Sequence, residues 1–329
     1  MFKYQLRTNY NVLLLSLVDY LSNWSIYITD NQIDIFQQLF GENKKDQQIL
    51  NTYSKVRQSL DWVNEVPMLN WAYNGFNKHP KFSDLLPYLK YFEDRVDNQK
   101  YSIKDYLQKR SIDNTNLIKK LEPDLDSLFD NKLTKKLEQL FKISTPNTTL
   151  PIYLTISLRE NSIQGGANGN GVSVQVPPNY NTTNTLPIIK STITHEILHK
   201  IINNKKYSKV FETAESKKIL NMTMKNIYPD KLKYFYNEII VHTLSERILT
   251  KENIKHKIEY YKKQNNSKLE SIIRILESIK ILEPILLGYL NNNISITETR
   301  ENLNNAFLDI YKKLTLVHAD GLEPSTSPM

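Results

Sequence analysis

Apolar residues recur at spacings of three and four along the first 145 residues, which predicts a helical N-terminal region. The pattern is clearest at residues 12–21, 33–40, 85–92, 106–107 and 133–141. The first of these runs follows Lys3 and Arg7, as in a signal peptide. However, Asp19 interrupts it and no small-residue cleavage site follows, so we expect an ordinary core helix. We accordingly expect a cytoplasmic protein, with secretion as the alternative.

The pattern changes after a turn-rich joint at residues 144–149. Residues 150–158 alternate and contain β-branched side chains, which predicts a strand. Residues 172–177 alternate as well and end in two prolines, which is typical of an edge strand. Residues 165–171 lie between these strands and hold four of the 8 glycines. No Gly-Lys-Ser/Thr ending follows, so we interpret them as a flexible turn beside an active site rather than a phosphate loop.

Two later helices are predicted from their apolar stripes. The first follows a cap at Asn184 or Thr185, has Pro187 near its first turn, and stops near Asn203-Asn204. Its stripe has i, i+4 spacing and consists of Ile189, Ile193, Ile197 and Ile201. The second begins at Asp230 and runs to about Thr250, with an apolar face formed by Leu232, Phe235, Ile239, Ile240, Leu244 and Ile248. Residues 269–279 predict a further amphipathic helix, and packing is its expected role.

Composition narrows the possible classes of function. The chain has 329 residues, of which 40% are hydrophobic, so it can form a sizeable core. It has no cysteine, which excludes disulfides and thiolate metal sites. The net charge is +8, and residues 200–236 carry nine Lys against three acids. Such a run is usually a solvated helix surface, although it could also favour an acidic partner. We find no basic and aromatic nucleic-acid module and no membrane span, and the oligomeric state stays open.

The strongest chemical signal is the motif His195-Glu196-Ile197-Leu198-His199. Because four residues advance a helix by little more than one turn, His195 and His199 leave the same face and can bind one metal ion. Neutral imidazole nitrogens suit zinc. Glu196 lies about 100° round the helix from His195, where it can reach a water on the metal as the general base.

A catalytic zinc usually has a third protein ligand, and the extended motif with a third histidine fails here because Lys205 stands at that position. A polar stripe on the second helix, with four-residue spacing, offers a better source. It consists of Tyr234, Glu238, His242 and Glu246. Either the stripe faces solvent, or Glu238 is the ligand and His242 hydrogen-bonds a ligand or the reacting oxygen.

These residues resemble the glutamate zincins, or gluzincins, in which an Asn-Glu-x-x-x-Asp helix follows the His-Glu-x-x-His helix. The resemblance covers roughly residues 150–250, and its Gly-rich stretch is similar to uncharacterised bacterial proteins of this predicted class. It implies that Glu238 completes a zinc site and that Asn237 supports a ligand histidine. His242 stands where the family commonly has Asp. Residues 166–169 lack the glutamate with which related aminopeptidases hold a free amine, which weakens that option.

Together these observations predict an α+β, mainly helical fold with a zincin-like core and a small sheet. The predicted parts are a helical region at 1–145, a catalytic core at 146–250, a helical region at 251–318 and a disordered tail at 319–329. We expect a zinc metallopeptidase acting on a peptide or protein substrate, with catalytic Glu196 and His242 and with His195, His199 and Glu238 on zinc. The alternative is a non-catalytic helical binding protein or a degenerate zincin fold; a secreted toxin with the same chemistry is a third interpretation.

Overall fold

The computed structural model of the chain describes residues 3–22, 32–60, 65–95, 102–142, 148–159, 163–167, 170–180, 185–202, 238–251 and 270–319. These residues form mainly helices, together with a small mixed sheet. The expected α+β, mainly helical class is therefore confirmed.

The sheet has four strands in the order β1-β2-β4-β3: β1 is Tyr4–Arg7, β2 is Leu150–Ile156, β3 is Gly165–Gly166 and β4 is Val172–Val176. The β1-β2 and β2-β4 pairs are parallel, and β3 pairs with β4 antiparallel. All residues of β4 are buried, as expected for a strand paired on both sides.

Two expectations about the strands are wrong. The N-terminal region is not wholly helical, because Tyr4–Arg7 forms an edge strand along β2. Its four residues contain one buried side chain, Leu6, which is too little for a clear pattern. The second edge is the two-residue strand β3, whereas the segment expected at the edge, Val172–Val176, is internal.

Helix α1, Tyr10–Leu21, is buried on almost all sides. It contributes eight apolar residues to the core, and Tyr153 and Ile156 of β2 belong to the same cluster. A helix that is buried on almost all sides and is mostly apolar belongs to the interior of a protein, which confirms the expected core helix. Asn9 caps its start, since the Asn9 side chain accepts a hydrogen bond from the Val12 backbone.

The remaining helices follow in chain order. They are α2 (Gln32–Phe40), α3 (Lys44–Gln58), α4 (Glu65–Tyr73), α5 (Leu86–Glu93), α6 (Ile103–Leu128), α7 (Asn131–Phe141) and α8 (Thr185–Ile202). Residues 238–242 are α-helical and continue as a π-helix, Thr243–Leu249; we call residues 238–249 α9. Helices α10 (Glu270–Leu290) and α11 (Ile296–Ala319) complete the described chain.

The chain divides into two compact units. The first comprises Met1–Asp130 and Pro146–Ile197, and the second comprises Asn131–Thr145 and Leu198–Met329. The sheet and helices α1 to α6 belong to the first unit, while α7, α9, α10 and α11 belong to the second. The boundaries expected at residues 145, 250 and 318 separate consecutive segments of the sequence, whereas each compact unit combines two separate segments. The two divisions are of different kinds, so the expected boundaries stay predictions. The expected disordered tail lies, from residue 320 on, outside the described residues.

None of the described helices has both the length and the apolar character that crossing a membrane requires.

Candidate metal centre

Helix α8 carries the two histidines of the motif one turn apart. Its apolar stripe is buried as the sequence predicts: Ile189, Ile193 and Ile197 have no exposed surface, and Ile201 is 2% exposed. This stripe fixes the rotation of the helix about its axis. His199 is itself 9% exposed, so its imidazole lies at the boundary between core and surface.

Glu238 at the start of α9 meets His199. The His199 Nε2 atom lies 3.2 Å from Glu238 Oε1. His195, His199 and Glu238 each offer one ligand atom, and these atoms all lie within 4.8 Å of one another. Two ligands about 2.0–2.1 Å from a tetrahedral zinc stand roughly 3.3 Å apart, so the His199–Glu238 distance suits a shared ion. Two imidazoles and a carboxylate are also a donor set that zinc accepts.

His242 and Glu246 extend this cluster along α9. The His242 Nδ1 atom lies 2.6 Å from Glu246 Oε1, and His242 Nε2 lies 3.7 Å from Glu238 Oε2. Glu246 is only 3% exposed. His195, His242 and Glu246 form a second set whose ligand atoms lie within 4.8 Å of one another. In the described part of the stripe, the side-chain exposure falls from 33% at Glu238 to 17% at His242 and 4% at Glu246, so the stripe does not face solvent.

Glu196 lies against the edge strand of the sheet. It is 7% exposed, and its side chain packs on the backbone of Gly165 in β3. A Cβ atom at residue 165 would stand 2.6 Å from Glu196 Cγ and 2.8 Å from Thr192 Cγ2. A larger residue at this position would therefore force Glu196 or Thr192 to move, and glycine lets strand and helix approach this closely. The Gly-rich stretch thus contributes a strand that contacts the general base expected from the sequence.

Several expected site residues lie outside the described residues. These are Asn237, expected to support a ligand histidine, and Tyr234, the first residue of the polar stripe. The same holds for residues 203–236 of the basic segment. The expected caps and stops at Asn184, Asn203-Asn204 and Asp230 are also outside.

Sequence reasoning missed two features of the centre. It assigned no role to Glu246, although Glu246 belongs to the four-residue stripe that pointed to Glu238. It also missed the π-helix Thr243–Leu249, in which the Thr250 backbone N–H donates across five residues to Ser245. The four-residue spacing of the stripe could have indicated Glu246. The residue pattern contains no signal that predicts the π-helix.

No protein-family model, curated protein or solved structure matches this chain. The candidate metal centre therefore rests on the motif, the contacts and the burial described above.

Proposed function

We propose that the chain is a zinc-dependent peptidase with a zincin-like core, in which His195, His199 and Glu238 hold the metal and Glu196 is the general base. One observation carries the proposal. Two histidines at helical spacing on α8 meet a carboxylate from α9, within the separations that one metal ion requires. In an unrelated fold, a glutamate from a later helix would seldom lie next to the two histidines of a His-Glu-x-x-His motif.

Zinc, when bound, supplies a Lewis acid that polarises the scissile carbonyl and acidifies a water. Glu196 takes a proton from the attacking water and passes it to the leaving amine. Its burial against Gly165 holds the carboxylate in one place, which favours this transfer. The contact of His242 with Glu238 supports a role for His242 at the same centre.

The edge strand offers a grip for an extended peptide. β3 ends the sheet and pairs only with β4 among the described residues, so a substrate strand can add along its other side. Main-chain hydrogen bonds of this kind bind a peptide largely independently of its side chains. Because Gly165 contacts Glu196, a peptide on this edge would lie near the general base. This supports peptides as the substrate class.

Zinc stoichiometry of the purified, untagged chain tests the proposal first. We expect one zinc per chain in the wild type, and its loss or weakening in His195→Ala and Glu238→Ala. His79→Ala is the matched control: His79 stacks on Phe82 with ring centroids 4.0 Å apart and should not affect the metal. A peptide library then tests for cleavage. Absence of zinc under metal-replete conditions would favour the helical binding protein instead.

A further inference from the structure

The buried carboxylate of Glu246 has a specific partner. Glutamate is rarely buried unless it is paired, yet this residue is 3% exposed. Its Oε1 atom lies 2.6 Å from His242 Nδ1, the separation of a strong charge-assisted hydrogen bond. A carboxylate can only accept, so the hydrogen between the two atoms belongs to Nδ1. This contact fixes the rotation of the imidazole ring.

The other nitrogen of His242 is consequently directed toward the candidate metal centre. With the hydrogen on Nδ1, a neutral ring presents a lone pair at Nε2, which lies 3.7 Å from Glu238 Oε2. Glu238 Oε1 in turn lies 3.2 Å from His199 Nε2. The lone pair at His242 Nε2 and the facing Glu238 oxygen repel each other unless a cation or a donor stands between them. Glu238 therefore has an imidazole nitrogen beside each of its oxygens, an arrangement that a metal ion would satisfy.

The backbone at this pair is unusual. The π-helix Thr243–Leu249 starts directly after His242 and contains Glu246. Two hydroxyl groups of the π-helix donate to backbone carbonyls of the α-helical turn before it: Thr243 Oγ1 to Ile239 and Ser245 Oγ to Val241. π-Helical turns are rare and occur frequently at functional sites. The widened turn thus coincides with the segment that joins the His242 ring to its carboxylate.

We propose that the metal centre contains a third imidazole, that of His242, beside His195, His199 and Glu238, and that Glu246 is the positioning residue that orients it. The attacking water would then be a fifth ligand of the metal. A metal-bound histidine usually donates its other N–H to a carboxylate, and Glu246 supplies that acceptor. The inference rests on the metal centre of the proposed function. It replaces the hydrogen-bonding role predicted for His242, because an Nε2 atom bound to metal cannot also donate to a reacting oxygen.

X-ray absorption spectroscopy of the untagged, zinc-loaded chain counts the imidazoles on the metal. We expect three in the wild type and two in His242→Ala. Two in the wild type would overturn the inference. Peptide hydrolysis is scored separately: a three-imidazole centre without hydrolysis would refute the peptidase proposal alone, and hydrolysis at a two-imidazole centre would refute this inference alone.

Zinc affinity, measured by competition with a coloured chelator, tests Glu246. We expect Glu246→Ala to weaken binding about 10- to 100-fold, and Glu246→Gln to weaken it less because the amide keeps an oxygen acceptor. Glu283→Gln is the matched control, since Glu283 pairs with the neighbouring Arg247 at 2.8 Å rather than with the cluster. Unchanged affinity in Glu246→Ala, or an equal loss in Glu283→Gln, would overturn the positioning role.

A metal-free measurement covers the case in which a Glu246 variant fails to fold. Long-range ¹⁵N correlation spectra of the zinc-free wild type, with only 6 histidines to resolve, show which ring nitrogen carries the hydrogen. The His242 signals are identified by their absence in His242→Ala. We expect the hydrogen on Nδ1. A neutral ring with its hydrogen on Nε2 would contradict the inference.

Discussion

The side chain of Glu196 packs directly on the backbone of Gly165, so that a Cβ atom at residue 165 would lie 2.6 Å from Glu196 Cγ and 2.9 Å from Glu196 Oε1. This relationship joins the edge strand of the sheet to the helix that carries the metal-binding motif. It also explains why a segment with no strand-forming side chains takes part in the sheet: the space beside α8 admits a backbone and nothing more.

Gly165→Ala should therefore impair catalysis without removing the metal. The new methyl group must displace Glu196 or Thr192, and a general base moved by about 1 Å can lose roughly 100-fold in rate. We expect kcat to fall about 10- to 100-fold while zinc stoichiometry stays at the wild-type value. Gly288→Ala is the control, because the atoms nearest to its methyl would belong to the side chain of Ile294, at 3.2 Å and beyond, and not to the candidate metal centre. Wild-type turnover in Gly165→Ala would show that the contact does not position the base.

Glu196→Gln should abolish turnover and keep zinc bound. The amide has nearly the same size but cannot take a proton from water, and general-base catalysis contributes about 10²- to 10⁴-fold. Peptide hydrolysis and metal content are measured on the same preparation. Glu65→Gln serves as the control: Glu65 accepts a hydrogen bond from Ser173 at 2.9 Å and has no assigned role in the chemistry. Retained hydrolysis in Glu196→Gln would exclude Glu196 as the base.

The fold was predictable wherever a pattern was long and its partners were local. Helix α1 has a long, almost uninterrupted apolar run, and the stripe of α8 repeats over four isoleucines, so the sequence predicts both. β1 has one buried residue in four, and β3 is a pair of glycines, so neither carries a strand signal. The wrong prediction that β4 is an edge strand has the same cause. Pro177 after β4 suggests an edge, and the pattern gives no sign of β3, which pairs with β4 on that side.

Those parts of the candidate centre that follow from helical spacing were predictable from the sequence. His195 and His199 follow from the motif, and Glu238 and His242 from a stripe on one helix face. How deeply the side chains of that stripe are buried depends on which other elements pack over them. The 3% exposure of Glu246 and its 2.6 Å contact with His242 are tertiary properties, and so they appear only in the structure.

Removing one partner of a buried ion pair in the N-terminal helices should destabilise the fold strongly. Arg57 Nε lies 3.0 Å from Asp19 Oδ1, and Tyr53 donates a 2.5 Å hydrogen bond to the same carboxylate. Arg57→Met would leave the carboxylate buried without its cation, and we expect a loss of about 3–5 kcal/mol in the free energy of unfolding. Urea unfolding followed by circular dichroism measures it.

An exposed pair provides the contrast. Lys190 and Asp124 lie 2.8 Å apart, with side chains 26% and 58% exposed. Lys190→Met should change the free energy of unfolding by no more than about 1 kcal/mol. Equal losses in Arg57→Met and Lys190→Met would mean that burial does not set the strength of these pairs.

Tyr91 should make unfolding sensitive to alkaline pH. Burial, aided by the 2.9 Å hydrogen bond from its hydroxyl to Asp46, raises the pKa of Tyr91 to about 12 from the ordinary value of 10.0. Because the folded state holds this proton more tightly than the unfolded chain, the contribution is complete below pH 10. It is lost as the pH rises through about 12. Tyr91→Phe has no proton to lose, so the difference in unfolding free energy between wild type and variant should be constant from pH 7 to 9 and shift toward the variant from pH 10 to 12. Urea unfolding at each pH measures that difference, and parallel curves across the whole range would show that the Tyr91 hydroxyl does not couple folding to pH.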